Sequence, residues 1–504
     1  MSILNPAVKS YMKMRASVID NFMLNPIDTQ KRVFNDLLAT AQFTEYGKKY
    51  NFNHINSIEE FQKLVPINNY DSLKPYIQRI LEGEQNLLWP SEITWFAKSS
   101  GTTSDKSKFI PVSKEAMEDN HFKSGKDALA LYISRSPESN IVGGKCLVIG
   151  GSHQLNQLND DSFYGDLSAV MMQNMPLAGQ YLRTPDLSIA LMDEWEEKIE
   201  LMAQSTIHEN VTFITGVPTW TLVLFKRILE ITGKQHMLEV WPNLELYLHG
   251  GVSFTPYREQ FRHFIPSDSM QYVDSYNASE GFFASQDTNN CDDGMLLFLN
   301  HGIFYEFIPM DVFDTDSQYA VQLKDVVLNK QYAIVISTNT GLWRYVIGDT
   351  VMFTSTTPYR IKVTGRTSFY LNAFGEEVIV ANADAAIAAA SQRTGAIVVD
   401  YSAAPIYMTD TSNGGHEWII EFEKLPCTLE QFTNELDAAL KAINSDYEAK
   451  RQKDIALRKP IIHQMPIGGF AEWLKSMGRL GGQHKVPRLN NDRKLLEQML
   501  QFVK

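Results

Sequence analysis

The chain has 504 residues, 44% hydrophobic and 21% charged, which is enough for roughly three average domains, or for one large domain with a smaller companion, and leaves no room for long disorder. Lys and Arg number 46 against 59 Asp and Glu, and the formal charge of -13 excludes a nucleic-acid backbone as the main partner while still permitting a local basic pocket. Cys146, Cys291 and Cys427 are widely spaced with no Cys-x-x-Cys pair, so a disulfide framework and a zinc site are both excluded and a reducing compartment is expected.

Met1 to Asn25 mixes Lys9, Lys13, Arg15 and Asp20 among apolar residues, which predicts an amphipathic helix rather than a signal peptide. A second helix is predicted after the Asn25-Pro26 break, where Val33, Phe34, Leu37 and Leu38 recur at helical spacing. No run of 18 apolar residues occurs, so a membrane span is not expected and the chain reads as soluble and cytoplasmic.

The apolar run Ile93 to Ala97 leads into Ser99-Ser100-Gly101-Thr102-Thr103-Ser104-Asp105-Lys106-Ser107-Lys108-Phe109-Ile110-Pro111. Glycine lets the backbone approach an anion, hydroxyls and main-chain N–H groups donate to it, and Lys106 or Lys108 supplies countercharge, so the loop suits phosphate. It is not a nucleoside-triphosphatase P-loop, which would need glycine where Lys106 stands, nor a dinucleotide fingerprint, which would need glycine at Thr103. Taken alone it is equally a polar surface loop.

Cys146 to Ile149 reads as a short strand, and the polar stretch through Asp166 as loop. Alternation follows: strand Val211 to Thr215, helix Thr219 to Ile231 closed by Gly233, strand Leu244 to Leu248 ending in a His249-Gly250-Gly251 loop, helix Pro256 to Phe264, and strand Met270 to Tyr276 running into Ser279-Glu280-Gly281. That order predicts a parallel sheet with ligand-binding loops at its carboxyl edge. Hairpin strands are expected at Met295 to Asn300, Ile303 to Ile308 and Tyr332 to Thr338. Past Thr364-Gly365-Arg366 come an alanine-rich helix (Ala381 to Ala390), strands at Ala396 to Asp400 and Trp418 to Phe422, and a helix from Leu429 to about Lys450. The fold class expected is α/β: a large N-terminal α/β domain over residues 1–365, with mixed sheets flanked by helices, and a small C-terminal α+β domain over 366–504.

Ser99 to Thr103 with Lys108 and Pro111, Tyr276 with Ser279-Glu280, Trp343-Arg344-Tyr345 with Gly348-Asp349, Asn444 with Asp446-Tyr447-Glu448, and Gln483-His484-Lys485-Val486-Pro487-Arg488 occur in one order along the chain. This set resembles the motifs of the auxin-responsive Gretchen Hagen family of acyl acid amido synthetases, within the adenylate-forming superfamily of acyl-CoA synthetases, adenylation domains and luciferases. The resemblance covers nearly the whole chain. It departs from the plant pattern at Asp105, where a second glycine is usual, at Trp343 in place of tyrosine, and at Val346 in place of a second arginine.

The resemblance implies the adenylate-forming architecture, with the C-terminal domain as a mobile lid, and a two-step reaction using ATP and Mg²⁺. A carboxylic acid becomes acyl-AMP with loss of pyrophosphate, and the acyl group then passes to an amine, an amino acid being the expected acceptor. Ser99, Ser100, Gly101, Thr102, Thr103 and Lys108 are implied to cradle the phosphates, and Glu280, beside Ser279, to hold Mg²⁺. Gly250, Gly251 and Tyr276 are implied to frame adenine, Asp349 and Arg366 to reach ribose, and Lys485 to stabilise charge at the α-phosphate, with Lys485, Lys108 and Glu280 the catalytic set. Each has a plainer reading: Glu280 as a solvated carboxylate, Asp349 as an Asp in a Gly-Asp turn, Tyr276 as a core aromatic, Lys485 as a surface lysine. The segments Val170 to Leu182 and Gly216 to Leu222 are the expected walls of an acyl pocket, or simply core. Rival functions are an acyl- or aryl-CoA ligase with a thiol acceptor, and a nucleotide-binding protein without catalysis.

Overall fold

A computed structural model of the chain describes residues 4–99, 108–150, 156–158, 162–192, 195–251, 254, 257–313, 315–367, 370–371, 378–406, 414–444, 447–448, 451, 457–478, 485–490 and 493–503. Two compact units emerge: one formed by Met1–Val217, Leu224–Gly251 and Asp268–Val363, the other by Pro218–Val223, Val252–Ser267 and Thr364–Lys504.

The first unit opens with helices α1 (Leu4–Leu24) and α2 (Pro26–Ala41). Pro26 at the first helical turn costs no hydrogen bond, and Val33, Phe34, Leu37 and Leu38 turn one stripe into the core. Strands β1 (Trp95–Ser99) and β2 (Lys108–Val112) pair antiparallel across the phosphate-loop candidate, and α3 (Phe122–Arg135) follows. The stretch expected to be loop before Asp166 contains short strands at Asn156–Gln157 and Phe163–Gly165. The second lies parallel to β1, where Phe163 stacks on Trp95 at 5.1 Å; three residues give no periodicity to read in the sequence.

The main sheet draws on β3 (Lys145–Val148), β4 (Arg183–Thr184), β5 (Val211–Gly216), β6 (Leu246–Gly250), β7 (Gln271–Ala278), β8 (Gly281–Ser285), β9 (Met295–Leu297), β10 (Ile303–Pro309), β11 (Val321–Gln322), β12 (Gln331–Thr338), β13 (Tyr345–Thr356) and β14 (Tyr359–Arg366). Their order is β11-β10-β12-β13-β14-β9-β8-β7-β6-β5-β3-β4. β4, β3, β5, β6 and β7 run parallel, as the strand–helix alternation predicts, and the hairpin strands beyond them are antiparallel. β10 is buried at every position, Glu306 included, so both of its faces are covered and its apolar residues do not alternate with solvated ones.

One boundary differs from expectation at the site itself. His249 and Gly250 are the last rungs of β6, opposite Asp274 and Ser275, rather than a loop. A Cβ on Gly250 would stand 2.6 Å from the Ser275 carbonyl oxygen, so glycine here serves close approach of the neighbouring strand. Gly251, at φ +80°, makes the turn out of the sheet.

In the second unit, α4 (Arg258–Phe264) and α5 (Val380–Thr394) accompany the sheet of β15 (Ile397–Ile406), β16 (Gly415–Lys424) and β17 (Ile461–Met465), with α6 (Leu429–Ile443). Gln260 on α4 donates to the Val398 carbonyl, which ties a segment distant in sequence to β15. Trp418, Tyr401, Phe422, Phe432 and Leu436 share its core. α6 stops at Ile443 rather than near Lys450: Asn444 leaves helical geometry and its Oδ1 accepts from Tyr447 N, so a short polar side chain competes with the helix for a backbone donor.

Candidate active site

The parallel strands set the frame. β6 and β7 end side by side, and β7 turns back into β8 through a two-residue hairpin, Ser279-Glu280, with Ala278 opposite Gly281. Glu280 is therefore held on a tight turn, half-buried, at the carboxyl edge of the parallel sheet.

Asp349 lies on β13, which is separated from β7 by three strands in the sheet order. Even so, the Tyr276 hydroxyl donates to Asp349 Oδ2 at 2.8 Å, and the Tyr345 hydroxyl lies 3.5 Å from Glu280 Oε1. Strands four spacings apart in a flat sheet would sit about 19 Å apart at ~4.8 Å per spacing, so the sheet curls to bring them together. Tyr276 combines both of its sequence readings: its ring is buried at 7% exposure, 4.8 Å from Phe283, while its hydroxyl engages the acidic residue.

The start of β13 is clamped by buried polar groups. Asn68 pairs with it through Asn68 N to Arg344 O and Val346 N to Asn68 O, each 2.8 Å, and Asn68 Nδ2 donates to Trp343 O. Arg344, at φ +43°, sends its fork onto Glu306 at 2.9 Å on both oxygens and donates again to the carbonyls of Gln62 and Val65. Trp343 Nε1 reaches Leu88 O. Trp343 and Arg344 thus serve packing and anchoring, and Tyr345 and Asp349 carry the polar contacts of this motif.

A second clamp holds β8. Asn120, just before α3, accepts from Phe282 N at 2.7 Å and donates to the carbonyls of Phe282 and His301. Ser124 Oγ, His301 and Asp127 form a line, with Ser124 Oγ 2.7 Å from His301 Nδ1 and His301 Nε2 3.0 Å from Asp127 Oδ2, and Arg15 closes on Asp127. All three are sealed from solvent, so this is a tie beneath the hairpin and not a nucleophile. Burial, outweighing Asp127, holds the His301 imidazole down at about 4. Asn120, Ser124 and Asp127 lie close together in sequence, but their partners Phe282, His301 and Arg15 are more than 100 residues away, beyond the reach of any short-range pattern.

Lys108 begins β2 with Nζ 5.7 Å above the Tyr70 ring, and Tyr70's hydroxyl accepts from Phe109 N. Ser99 pairs with Lys108, so both strands deliver the ends of the loop to one place. Ser100, Gly101, Thr102 and Thr103 lie outside the described residues, as do Asp105, Asp446, Gln483 and His484. A groove of about 310 Å³ lined by Trp95, Val112, Lys114, Glu118, Phe122 and Asn174 sits at the other end of this hairpin, where Trp95 pairs with Val112. Of the expected acyl-pocket segments, Val170 and Met172 are core, whereas Leu177 and Tyr181 are exposed. In the second unit Arg366 is exposed at the end of β14, and Lys485 is exposed beside the buried Val486. Among the described residues no group of three or more His, Cys, Asp or Glu side chains gathers to hold a metal by itself, and no helix is long and apolar enough to cross a membrane.

The geometry thus joins Tyr276 and Glu280 to Asp349 and Tyr345 within one unit, and these are the second and third of the motif groups seen in the sequence. Known proteins are similar to this chain over most of its length. Indole-3-acetic acid-amido synthetase GH3.3 of Arabidopsis thaliana is 24% identical over 561 aligned positions, covering 96% of this chain and 92% of that one. Jasmonoyl--L-amino acid synthetase JAR4 of Nicotiana attenuata is 26% identical, covering 64% of this chain and 66% of its own. In fold, the chain matches AtGH3.15 acyl acid amido synthetase in complex with 2,4-DB at a TM-score of 0.81 and 16% identity, covering 98% and 97% of the two chains. It also matches 2-hydroxyisobutyryl-CoA ligase in the postadenylation state at a TM-score of 0.60 and 12% identity, covering 94% and 91%. The GH3 family N-terminal domain matches residues 15–270, the central domain 296–366 and the C-terminal domain 381–494. With three consecutive family segments in order over most of its length, the chain belongs to the GH3 family.

Proposed function

We propose that this chain is an ATP-dependent acyl acid amido synthetase. A carboxylate oxygen of the acid attacks the α-phosphorus of ATP, the bond to the β-phosphate breaks, and acyl-AMP and pyrophosphate form. The nitrogen of an amine, an amino acid in this reading, then attacks the acyl carbon. AMP leaves, and the nitrogen gives up a proton as the amide forms. Displacement at phosphorus calls for positioning and charge neutralisation more than for a covalent nucleophile, which matches a site built from hydroxyls, lysines and a few carboxylates.

The observation that carries this reading is the hydrogen bond from Tyr276 to Asp349, with Tyr345 beside Glu280. It makes one polar patch of two motif groups 73 residues apart. In this reading Asp349 accepts from the ribose hydroxyls, Tyr276 offers its ring edge to adenine with Gly250 and Gly251 beside it, and Arg366 reaches ribose. Ser99 to Thr103 and Lys108 take the departing pyrophosphate, and Lys485 supplies the cation that offsets charge at the α-phosphate. The other ATP contacts and the acid contacts belong to residues 1–365, and Arg366 and the α-phosphate cation to 366–504. Glu280 fits Mg²⁺: one half-buried carboxylate on a turn, with no cluster of three or more His, Cys, Asp or Glu ligands among the described residues, is how this ion is held when phosphate oxygens complete its shell. Bound there, it would neutralise charge on the phosphates. The exposed Leu177 and Tyr181 offer apolar surface to an acyl group. We place the protein in the cytoplasm.

Pyrophosphate exchange into ATP tests this, measured across a panel of carboxylic acids. Acid-dependent exchange is expected; tight ATP binding with no exchange on any acid would leave a binding protein and sink the proposal.

A further inference from the structure

Lys485 is exposed, and the residues immediately following it are not. Val486 is 7% exposed, Leu489 is fully buried, and the guanidinium-bearing side chain of Arg488 is 9% exposed. The 486–490 segment lies along β15 like an extra strand. Ala403 N donates to Arg488 O at 2.8 Å, Asn490 N donates to Ala403 O at 3.0 Å, and Ser402 Oγ donates to Pro487 O at 2.6 Å.

Arg488 then joins three elements. Its Nη1 donates to Asp384 Oδ1 on α5 at 2.5 Å, its Nη2 donates to the hydroxyl of Tyr257 just before α4 at 2.8 Å, and its Nε lies 3.7 Å from Asp400 Oδ1 on β15. The guanidinium plane rests 5.1 Å from the Tyr401 ring, and Tyr401 OH bonds the same Asp384 oxygen. A planar fork with several fixed partners transmits orientation to its own backbone far better than a point charge on a flexible stem.

We propose that Arg488 is a positioning residue for Lys485: by locking residues 486–490 onto β15, it sets the place from which the Lys485 ammonium acts during adenylation. Two residues separate them, about 10 Å of extended chain at ~3.4 Å per residue, too far for direct action on one phosphate group and close enough to fix a backbone. The inference rests on the adenylation role given to Lys485 above. A buried ion pair also supports stability, so the test must separate the two roles.

The test measures pyrophosphate exchange by the full chain with Lys485→Ala, Arg488→Lys, Ser402→Ala and the two doubles that add Lys485→Ala. Thermal melts report folding. Arg488→Lys keeps the charge and loses the fork; a displacement of about 1 Å can cost about 100-fold in rate, so kcat for exchange is expected to fall by that order with KM for ATP little changed. Ser402→Ala, which removes one hydrogen bond and folds more safely, is expected to lose a smaller factor in the same way. Each double should be no slower than Lys485→Ala alone, because a residue that acts only through Lys485 has nothing left to lose. Multiplicative losses in the doubles, or an unchanged kcat in both single variants at positions 402 and 488, overturn the positioning role. Full exchange by Lys485→Ala would instead overturn the role of Lys485, and with it this inference, so the two failures are told apart.

Discussion

Replacing Arg344 by methionine removes a buried cation whose partner stays behind. Glu306 is 1% exposed and would keep a single side-chain donor, Gln62 Nε2 at 2.8 Å, after losing two guanidinium bonds of 2.9 Å. Breaking a buried pair from one side costs about 3–5 kcal/mol. The carbonyls of Gln62 and Val65, which Arg344 also satisfies, add about 1 kcal/mol each where water cannot replace it. The expected loss is about 5–7 kcal/mol, a large share of a typical folding free energy of about 5–15 kcal/mol. Arg344→Met/Glu306→Met removes both charges and should recover several kcal/mol of the summed single losses. Urea titration followed by tryptophan fluorescence measures this directly, since Trp343 and Trp89 are buried with rings 6.4 Å apart beside the pair's own backbone. A single-variant loss below about 1 kcal/mol, or strictly additive losses in the double, would refute the view that this pair clamps the start of β13.

Tyr276→Phe removes the donor to Asp349 and leaves the ring packed; a bond to a charged acceptor is worth about 1.5 kcal/mol, so KM for ATP should rise about tenfold in steady-state assays, and an unchanged KM would speak against Asp349 at the ribose. Gly341→Ala places a Cβ 2.7 Å from the Leu88 backbone at φ +87°, where strain alone costs about 1–3 kcal/mol; the melting temperature should fall, and a wild-type melt would contradict the close approach drawn there. Burial holds both His121 and His301 down at about 4, below their unfolded value near 6.5, so their stability contribution is complete above pH ~6.5 and is lost as pH falls toward 4. Urea midpoints should drop across that window by an amount worth about 3 kcal/mol per histidine, and His301→Asn should flatten the slope. An equal slope in the variant would mean that His301 titrates normally.

Local patterns carried the architecture a long way. The apolar runs from Val211, Leu244 and Met270, separated by helices capped by residues such as Gly233, predict parallel strands, and the ladders run parallel there. Boundaries were harder. Gly250 looks like a loop residue because glycine marks turns, yet it stays in β6 because Ser275 presses against it, a reason that lies in the neighbouring strand. Asn444 ends α6 by capturing Tyr447 N, which apolar periodicity cannot register. At the site, Tyr276, Glu280 and Asp349 stood out by motif, and their meeting depends on the curl of a twelve-stranded sheet that no local signal encodes. The supports were illegible for the same reason: Asn120 satisfies Phe282 from 162 residues away, and Arg344 meets Glu306 across 38.

The central claim is that this chain joins an acid to an amine through acyl-AMP. Mass spectrometry of reactions containing ATP, Mg²⁺, a carboxylic acid active in exchange, and either amino acids or coenzyme A tests it most directly. The expected result is an amide with AMP and pyrophosphate in equal amounts; a coenzyme A thioester with no amide, or ADP and phosphate in place of AMP and pyrophosphate, would contradict it.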